Sequence, residues 1–347
     1  MTIKVLVVDD SALIRQLLAE IIHQTPGLSL AGVAPDAYVA KKMVIEQAPD
    51  VITLDIEMPK VDGLRFLEVL MQSRPTPVVM ISTLTEAGAD ATLRALALGA
   101  VDFIPKPKID IAKGIEEYQS LIAEKIYAAA TARRIKPPPP VTTVLPTHYT
   151  STEKIIAIGA STGGTEAIKY IIEALPANAP ATIITQHMPP GFTKNFARRL
   201  DNCSRVKVRE AAGNERLLPG TVYLAPGDKH LIIEKSGADY RTALLDSGRV
   251  SGHKPSVDVM FEAVNKHAAH NAVGILLTGM GKDGARGLQA LHKQGAHTIC
   301  QNEETCVVFG MPKAAIALNA ASEVLSLQQI PAAIIRYLEA TNAGSRV

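Results

Sequence analysis

The run Ile155-Ile156-Ala157-Ile158, followed by Gly159-Ala160-Ser161-Thr162-Gly163-Gly164, leaves a chain few ways to fold. The apolar, largely β-branched residues predict a buried strand. Small residues and glycines then break it, and a helical stripe resumes at Ala167, Ile168, Ile171 and Ile172. Strand, tight turn and helix in that order build a parallel α/β sheet. The turn falls at the carboxyl edge, where open sheets hold their ligands. Ser161 occupies that turn, and three readings compete for it. Gly159-x-Ser161-x-Gly163 fits a nucleophile elbow. N–H groups at the helix start suit a phosphate or dinucleotide. A plain βα turn with Ser as helix cap needs no function at all, and the stretch taken alone favours it.

At 347 residues there is room for two cores, and 47% hydrophobic with 20% charged residues describes an ordinary globular chain. A net charge of +2 gives no electrostatic case for nucleic acid or a membrane surface, and aromatics at 4% with no Trp leave few stacking platforms for bases. No apolar run is long enough to span a bilayer. Met-Thr-Ile-Lys leads straight into a strand, so no signal peptide is expected and the expected location is cytoplasmic. The odd set Cys203, Cys300 and Cys306, with no C-x-x-C, fits a reducing compartment, no zinc site and buried thiols.

The strand–helix unit recurs from the N-terminus. Apolar runs at 3–8, 28–33, 51–54, 77–81 and 101–104 alternate with helical patterns, the last spanning about Ile111 to Ala130. This predicts a doubly wound parallel sheet. Asp9, Asp10, Asp55, Ser82 and Lys106 all fall at carboxyl ends of these strands, which converge on one crevice in such a fold. Singly each is a turn residue or cap; together they resist that explanation. Clustered carboxylates repel unless a cation sits among them, and hard oxygen ligands suit Mg²⁺. With the cation neutralising an incoming phosphoryl group, Asp55 can attack it while Ser82 and Lys106 bind its oxygens.

The set Asp9-Asp10, Asp55 with Met58-Pro59 and Asp62-Gly63, Ser82, and Lys106-Pro107 resembles a two-component response-regulator receiver of the flavodoxin-like fold. The resemblance implies that Asp55 takes phosphate from a histidine kinase. It implies that Asp10, Asp55 and the main-chain carbonyl of Glu57 ligate Mg²⁺, with Asp9 assisting. Ser82 and Lys106 match phosphate-sensing residues, and Phe103 matches the aromatic switch position.

Prolines 137–140 and Pro146 predict a semi-rigid spacer. The expected organisation is a receiver at 1–125, a linker at 126–153 and a larger α/β domain at 154–347. In that last domain, buried strands end at Gln186-His187 and ahead of Thr278-Gly279-Met280-Gly281-Lys282-Asp283-Gly284. Short runs and turns between Val206 and Leu245 predict inserted β-hairpins. Ser161, His187 and Asp283 thus each follow a separate strand, the recipe for nucleophilic acyl transfer. His187 is the expected base, Asp283 its orienting carboxylate, and the Met280 N–H the expected oxyanion donor. Asp283 also reads as a cap for its own helix. His230 and His253 sit in polar turns and could line the cleft, but they are left out of the triad. The order Ser, His, Asp is not that of α/β-hydrolases, and G-x-G-x-x-G is absent.

Gly159-Ala160-Ser161-Thr162-Gly163-Gly164, Gln186-His187-Met188 and Thr278 to Ala285, behind a receiver, resemble the protein-glutamate methylesterase and protein-glutamine glutaminase family of chemotaxis. The resemblance implies a phosphorylation-activated hydrolase that removes methyl esters from receptor glutamates and deamidates selected receptor glutamines. It implies Mg²⁺ in the receiver and no cofactor for the esterase reaction. Its partners would be a chemotaxis histidine kinase and methyl-accepting chemoreceptors, with no nucleic acid and no membrane insertion. A non-catalytic adaptor and a nucleotide-binding module remain as alternatives from other classes.

Overall fold

The computed structural model describes residues 2–107, 115–133, 154–237 and 239–343. The proline-rich spacer at 134–153 and the start of the expected helix at 111–114 lie outside them. The chain divides into two compact units, Met1–Ala132 and Arg133–Val347.

The first unit alternates β1 (Ile3–Val8), α1 (Ala12–Gln24), β2 (Leu28–Ala34), α2 (Ala37–Gln47), β3 (Val51–Asp55), α3 (Gly63–Ser73), β4 (Val78–Ser82), α4 (Glu86–Ala97), β5 (Asp102–Pro105) and α5 (Ile115–Thr131). Its sheet runs β2-β1-β3-β4-β5 with every pairing parallel. Helices cover both faces, so β3 and β4 are buried along their whole length. Ser11, Asp36, Asp62 and Thr85 cap α1 to α4 by accepting N–H groups of the first turn. The order in which strands are added reverses between β1 and β3, the switch point at which such sheets open a crevice. Helix α5 runs past residue 125 to Thr131, because Ile126, Ala128 and Ala129 on it are buried.

The second unit has a seven-stranded sheet in the order β14-β13-β12-β6-β7-β9-β8 and a separate antiparallel pair, β10-β11. Its elements are β6 (Ile155–Ala160), α6 (Gly164–Ala174), β7 (Ala181–Gln186), α7 (Phe192–Cys203), β8 (Lys207–Glu210), β9 (Thr221–Leu224), β10 (His230–Ser236), β11 (Asp239–Leu245), α8 (Val257–Ala268), β12 (Ala272–Leu276), α9 (Ala285–Lys293), β13 (His297–Gln301), α10 (Met311–Ala317), β14 (Glu323–Leu325) and α11 (Ile330–Ala343). All pairings of the large sheet are parallel. The segment expected to form hairpins does so only in its second half, β10-β11. Its first half adds β8 and β9 in parallel to the large sheet, with Val222 and Tyr223 buried against β7. Gly213-Asn214 and Pro219-Gly220 are turn signals for either outcome, and pairing with β7 decided between them. β14 is too short and polar to read from sequence; it is an edge strand on β13. Cys300 and Cys306 are buried and Cys203 is half-buried at the end of α7, all three free.

Helix α8 packs directly on the end of β6. A Cβ on Gly159 would lie 2.1 Å from Val257 Cγ1. Gly159→Ala is therefore expected to cost about 1–3 kcal/mol of stability through overpacking, read as a lower denaturation midpoint.

Candidate active site

The register of β12, β6 and β7 aligns Leu276 with Gly159, and Gly159 with Thr185. The residues just beyond these strand ends therefore emerge side by side. Backbone bonds continue the ladder past them: Leu277 N–H to Gly159 O at 2.9 Å, Ser161 N–H to Thr278 O at 3.0 Å, and His187 N–H to Ala160 O at 3.1 Å. The structure thus gathers Ser161, His187 and the Thr278–Gly284 loop on one edge, between the strands where the order of strand addition reverses. Gly279 lies against the serine, since a Cβ there would be 2.7 Å from Ser161 Cβ, and so the peptide leading into Met280 borders Ser161. Gly163 turns the chain into α6 at φ 78°, which strains any residue with a side chain.

The reading of Ser161 as a helix cap does not hold. Gly163 is the cap of α6 and no side chain serves there. Ser161 Oγ is buried without a hydrogen-bond partner, and so is His187 Nδ1. The other imidazole nitrogen, Nε2, is 2.8 Å from Asp283 Oδ2. A carboxylate only accepts, so Nε2 carries the proton and Nδ1 keeps its lone pair. The ring is thus set to receive a proton at Nδ1.

Asp283 is a cap, but not of its own helix. Its Oδ2 accepts the Val257 N–H at 2.7 Å as well as His187. Its Oδ1 accepts the Ser256 hydroxyl at 2.8 Å and the Asp258 N–H at 3.1 Å. Burial alone would raise its carboxyl, but the bonds and charge from His187, then Val257 and Ser256, hold it down at about 2. It stays ionised at neutral pH, so an imidazolium formed at His187 has a fixed counter-charge.

Several residues that position this site were given no role in it from the sequence. Gln186 Nε2 donates to the carbonyls of Ser161 at 2.9 Å and His187 at 3.2 Å, joining the two loops. His230 is not in a polar turn but fully buried at the start of β10. Its Nδ1 accepts the Ser256 N–H at 3.0 Å, so its Nε2 is the protonated nitrogen and donates to Gly248 O at 3.0 Å. Through Ser256 it supports Asp283. The ring of His253 stacks on that of His187, with centroids 3.8 Å apart and planes 12° from parallel. Such contacts join residues far apart in the chain, and only the ends of β10 and α8 bring them together.

The first unit presents a second cluster. Asp9 follows β1, Asp55 ends β3, Ser82 ends β4 and Lys106 follows β5. Carboxylate oxygens of Asp9, Asp10 and Asp55 lie within 4.8 Å of one another, with Asp9 and Asp55 buried and Asp10 exposed. Lys106 Nζ donates to Asp55 Oδ2 at 2.7 Å and sits 3.4 Å from Asp9 Oδ2, not aligned for a hydrogen bond. Burial lifts the Asp55 carboxyl to about 6 despite the Lys106 bond, and raises Asp9 as well. An orphaned, buried carboxylate oxygen among crowded carboxylates fits a hard divalent cation. Arg15, missed in the sequence, holds the turn by donating to the carbonyls of Asp9 at 2.8 Å and Asp10 at 2.9 Å. The Glu57 N–H donates to Asp55 Oδ1 at 3.3 Å. The Ser82 hydroxyl is turned toward α4 and donates to Gly88 O at 3.1 Å. Phe103 is buried on β5 beside Met80 of β4.

Known proteins match the chain over both units. The family model for CheB methylesterase matches residues 156–334, and that for the response regulator receiver domain matches residues 5–116. A protein-glutamate methylesterase/protein-glutamine glutaminase of Methylobacillus flagellatus is 54% identical over 351 residues, spanning 99% of each chain. One from Pseudomonas aeruginosa is 53% identical over 352 residues and spans 100% of each. The crystal structure of the Thermotoga maritima CheB methylesterase catalytic domain aligns with a TM-score of 0.52 at 40% identity, covering 54% of this chain and 100% of that one.

Proposed function

The chain belongs to the CheB methylesterase family and carries a response regulator receiver domain, and on that premise we propose that it is a protein-glutamate methylesterase and protein-glutamine glutaminase acting on methyl-accepting chemoreceptors. The observation that supports this most is the buried, unpartnered Ser161 Oγ on the same sheet edge as His187, whose far nitrogen is held by Asp283 at 2.8 Å.

In this reading His187 Nδ1 takes the Ser161 proton as Oγ bonds to the side-chain carbonyl carbon of a receptor residue. The Met280 N–H receives the oxyanion. The C–O bond of a methyl ester, or the C–N bond of an amide, then breaks. His187 returns the proton, and methanol or ammonia leaves. Water gives a proton to His187 and attacks the acyl carbon. Ser161 departs with its proton restored, and a glutamate carboxylate is the product of both reactions. Each turnover adds a negative charge to a receptor helix, which shifts the receptor's conformational balance. We assign no cofactor to these steps, because Ser161, His187 and Asp283 suffice for acyl transfer.

In the receiver, Asp55 is the proposed phosphoryl acceptor, with a chemotaxis histidine kinase as donor. Asp9, Asp10, Asp55 and the Glu57 carbonyl would hold Mg²⁺, which when bound supplies neutralising charge for the incoming phosphoryl group. Lys106 binds one of its oxygens. Ser82 leaves the Gly88 carbonyl to bind another, and Phe103 repacks in response. No helix among the described residues is long and apolar enough to cross a membrane. The proposed setting is the cytoplasmic side, with neither membrane insertion nor nucleic acid involved.

The test is methanol release from methylated receptor membranes, with and without a small phosphodonor and Mg²⁺. Wild-type protein is expected to release methanol and to be stimulated by the phosphodonor, and Asp55→Asn to lose the stimulation. No release from wild type would send the substrate assignment elsewhere; full stimulation of Asp55→Asn would remove Asp55 as acceptor.

A further inference from the structure

We propose that Asp258 is a positioning residue for the Asp283–His187 pair, acting through an exchange of caps between the N-termini of α8 and α9. The inference rests on the hydrolase reading above and adds a residue to it.

The start of α9 has no cap of its own. Gly284 occupies the cap position at φ 85° and offers no side chain to the first-turn N–H groups. Asp258, in the first turn of α8, supplies the acceptor. Its Oδ1 takes the Gly287 N–H at 2.8 Å. In return Asp283, which immediately precedes Gly284, accepts the N–H groups of Val257 and Asp258 at the start of α8, at 2.7 and 3.1 Å. The start of α9 thus takes a carboxylate from α8, while the start of α8, whose own cap is Ser256, takes a second acceptor from the turn before α9; Asp258 joins the two halves, its N–H binding Asp283 and its side chain binding α9. No side chain separates the helices at this point. A Cβ on Gly284 would lie 2.5 Å from Val257 Cγ1, and one on Gly287 would lie 2.6 Å from Phe261 Cβ.

Asp283 rides on the turn that leads into α9, so its position relative to α8 depends on how firmly that turn is tied down. Asp258 is the tie. It is 5% exposed and carries a full carboxylate, which a packing role alone does not require. The charged groups around it are Glu262 on α8 and Asp283, with His187 beyond. The two carboxylates are driven apart. Burial raises Asp258 to about 6, while Asp283, given four donors, stays near 2 despite burial.

The experiment uses the full-length chain labelled with ¹⁵N-histidine, as wild type, Asp258→Asn and Asp258→Ala. It reads the His187 Nε2–H resonance, moved downfield by its bond to Asp283, and the pH profile of kcat/KM for methanol release. Asp258→Ala is expected to weaken and broaden that resonance. It should lower kcat roughly 10-fold or more, with KM little changed, as a misplaced catalytic group does. The kcat/KM profile should fall in height by a similar factor. Asp258→Asn keeps an acceptor for Gly287, and it should restore most of the resonance and the rate. If the Ala variant does not fold, Asp258→Ser, which withdraws the acceptor by one bond, takes its place with the same expectation. A folded Ala or Ser variant with unchanged resonance and profile would overturn the proposal, and so would an Asn variant as impaired as Ala. The resonance is read without substrate. Failure of wild type to release methanol would thus count against the hydrolase reading, and leave the clamp to be judged on the spectrum.

Discussion

Ser161→Ala should lower kcat for methanol release by about 10⁶, the scale on which loss of a serine nucleophile is felt when its base and orienting acid act only through it. The fold should not notice. Ser161 is 2% exposed and its Oγ makes no hydrogen bond, so the substitution removes an unsatisfied polar atom and leaves the methylene in place. Stability should be unchanged within about 0.5 kcal/mol, or slightly higher. Loss of a buried hydroxyl without loss of stability separates a nucleophile from a structural serine. Thermal melting alongside single-turnover methanol release reads both. A variant that kept its activity would remove Ser161 from the chemistry, and one that melted early would return it to the turn.

Asp283→Asn should behave differently, with kcat lower by about 10⁴ and stability reduced as well. Every group around this carboxylate is a donor: His187 Nε2–H and Val257 N–H on one oxygen, Ser256 Oγ–H and Asp258 N–H on the other. An amide must set its NH₂ against one of these pairs. Facing His187, it forces the imidazole proton onto Nδ1, where the base lone pair should be. Facing Ser256 and the Asp258 N–H, it leaves α8 partly uncapped, at a cost of about 1–3 kcal/mol for an unsatisfied buried group. The loss of rate should persist across the pH range in which wild type is active, because Asp283 at about 2 does not titrate there. A melting curve and rate equal to wild type would refute this account.

The strands of both sheets were legible because buried parallel strands are short apolar runs, and their carboxyl ends are marked by an abrupt change to polar or small residues. Asp9, Asp55, Lys106, Ser161, His187 and Asp283 could be placed at strand ends for that reason. The edges of the second sheet were not legible. β8 alternates exposed and buried residues as a hairpin strand does, and β14 offers three residues of mixed polarity. Whether such a strand pairs parallel or antiparallel depends on which neighbour has an open edge, and no local pattern records that. The support of the site was hidden for a related reason. His230, Ser256, Asp258 and Gln186 look like turn or helix-surface residues, and their role appears only when β7, β10, α8 and α9 meet.

What the sequence determined by itself is the order of strand and helix, the parallel class of both sheets, and the kinds of group delivered to each crevice. These follow from periodicity and from the crossover connection, which returns the chain so that every strand of a parallel sheet ends at the same edge. Only the tertiary structure decided which nitrogen of His187 faces Asp283, which helix Asp283 caps, and which N–H groups each buried carboxylate accepts. Each of those depends on hydrogen-bond donors brought from distant parts of the chain to within about 3 Å, and at that range the direction of a single N–H decides the outcome.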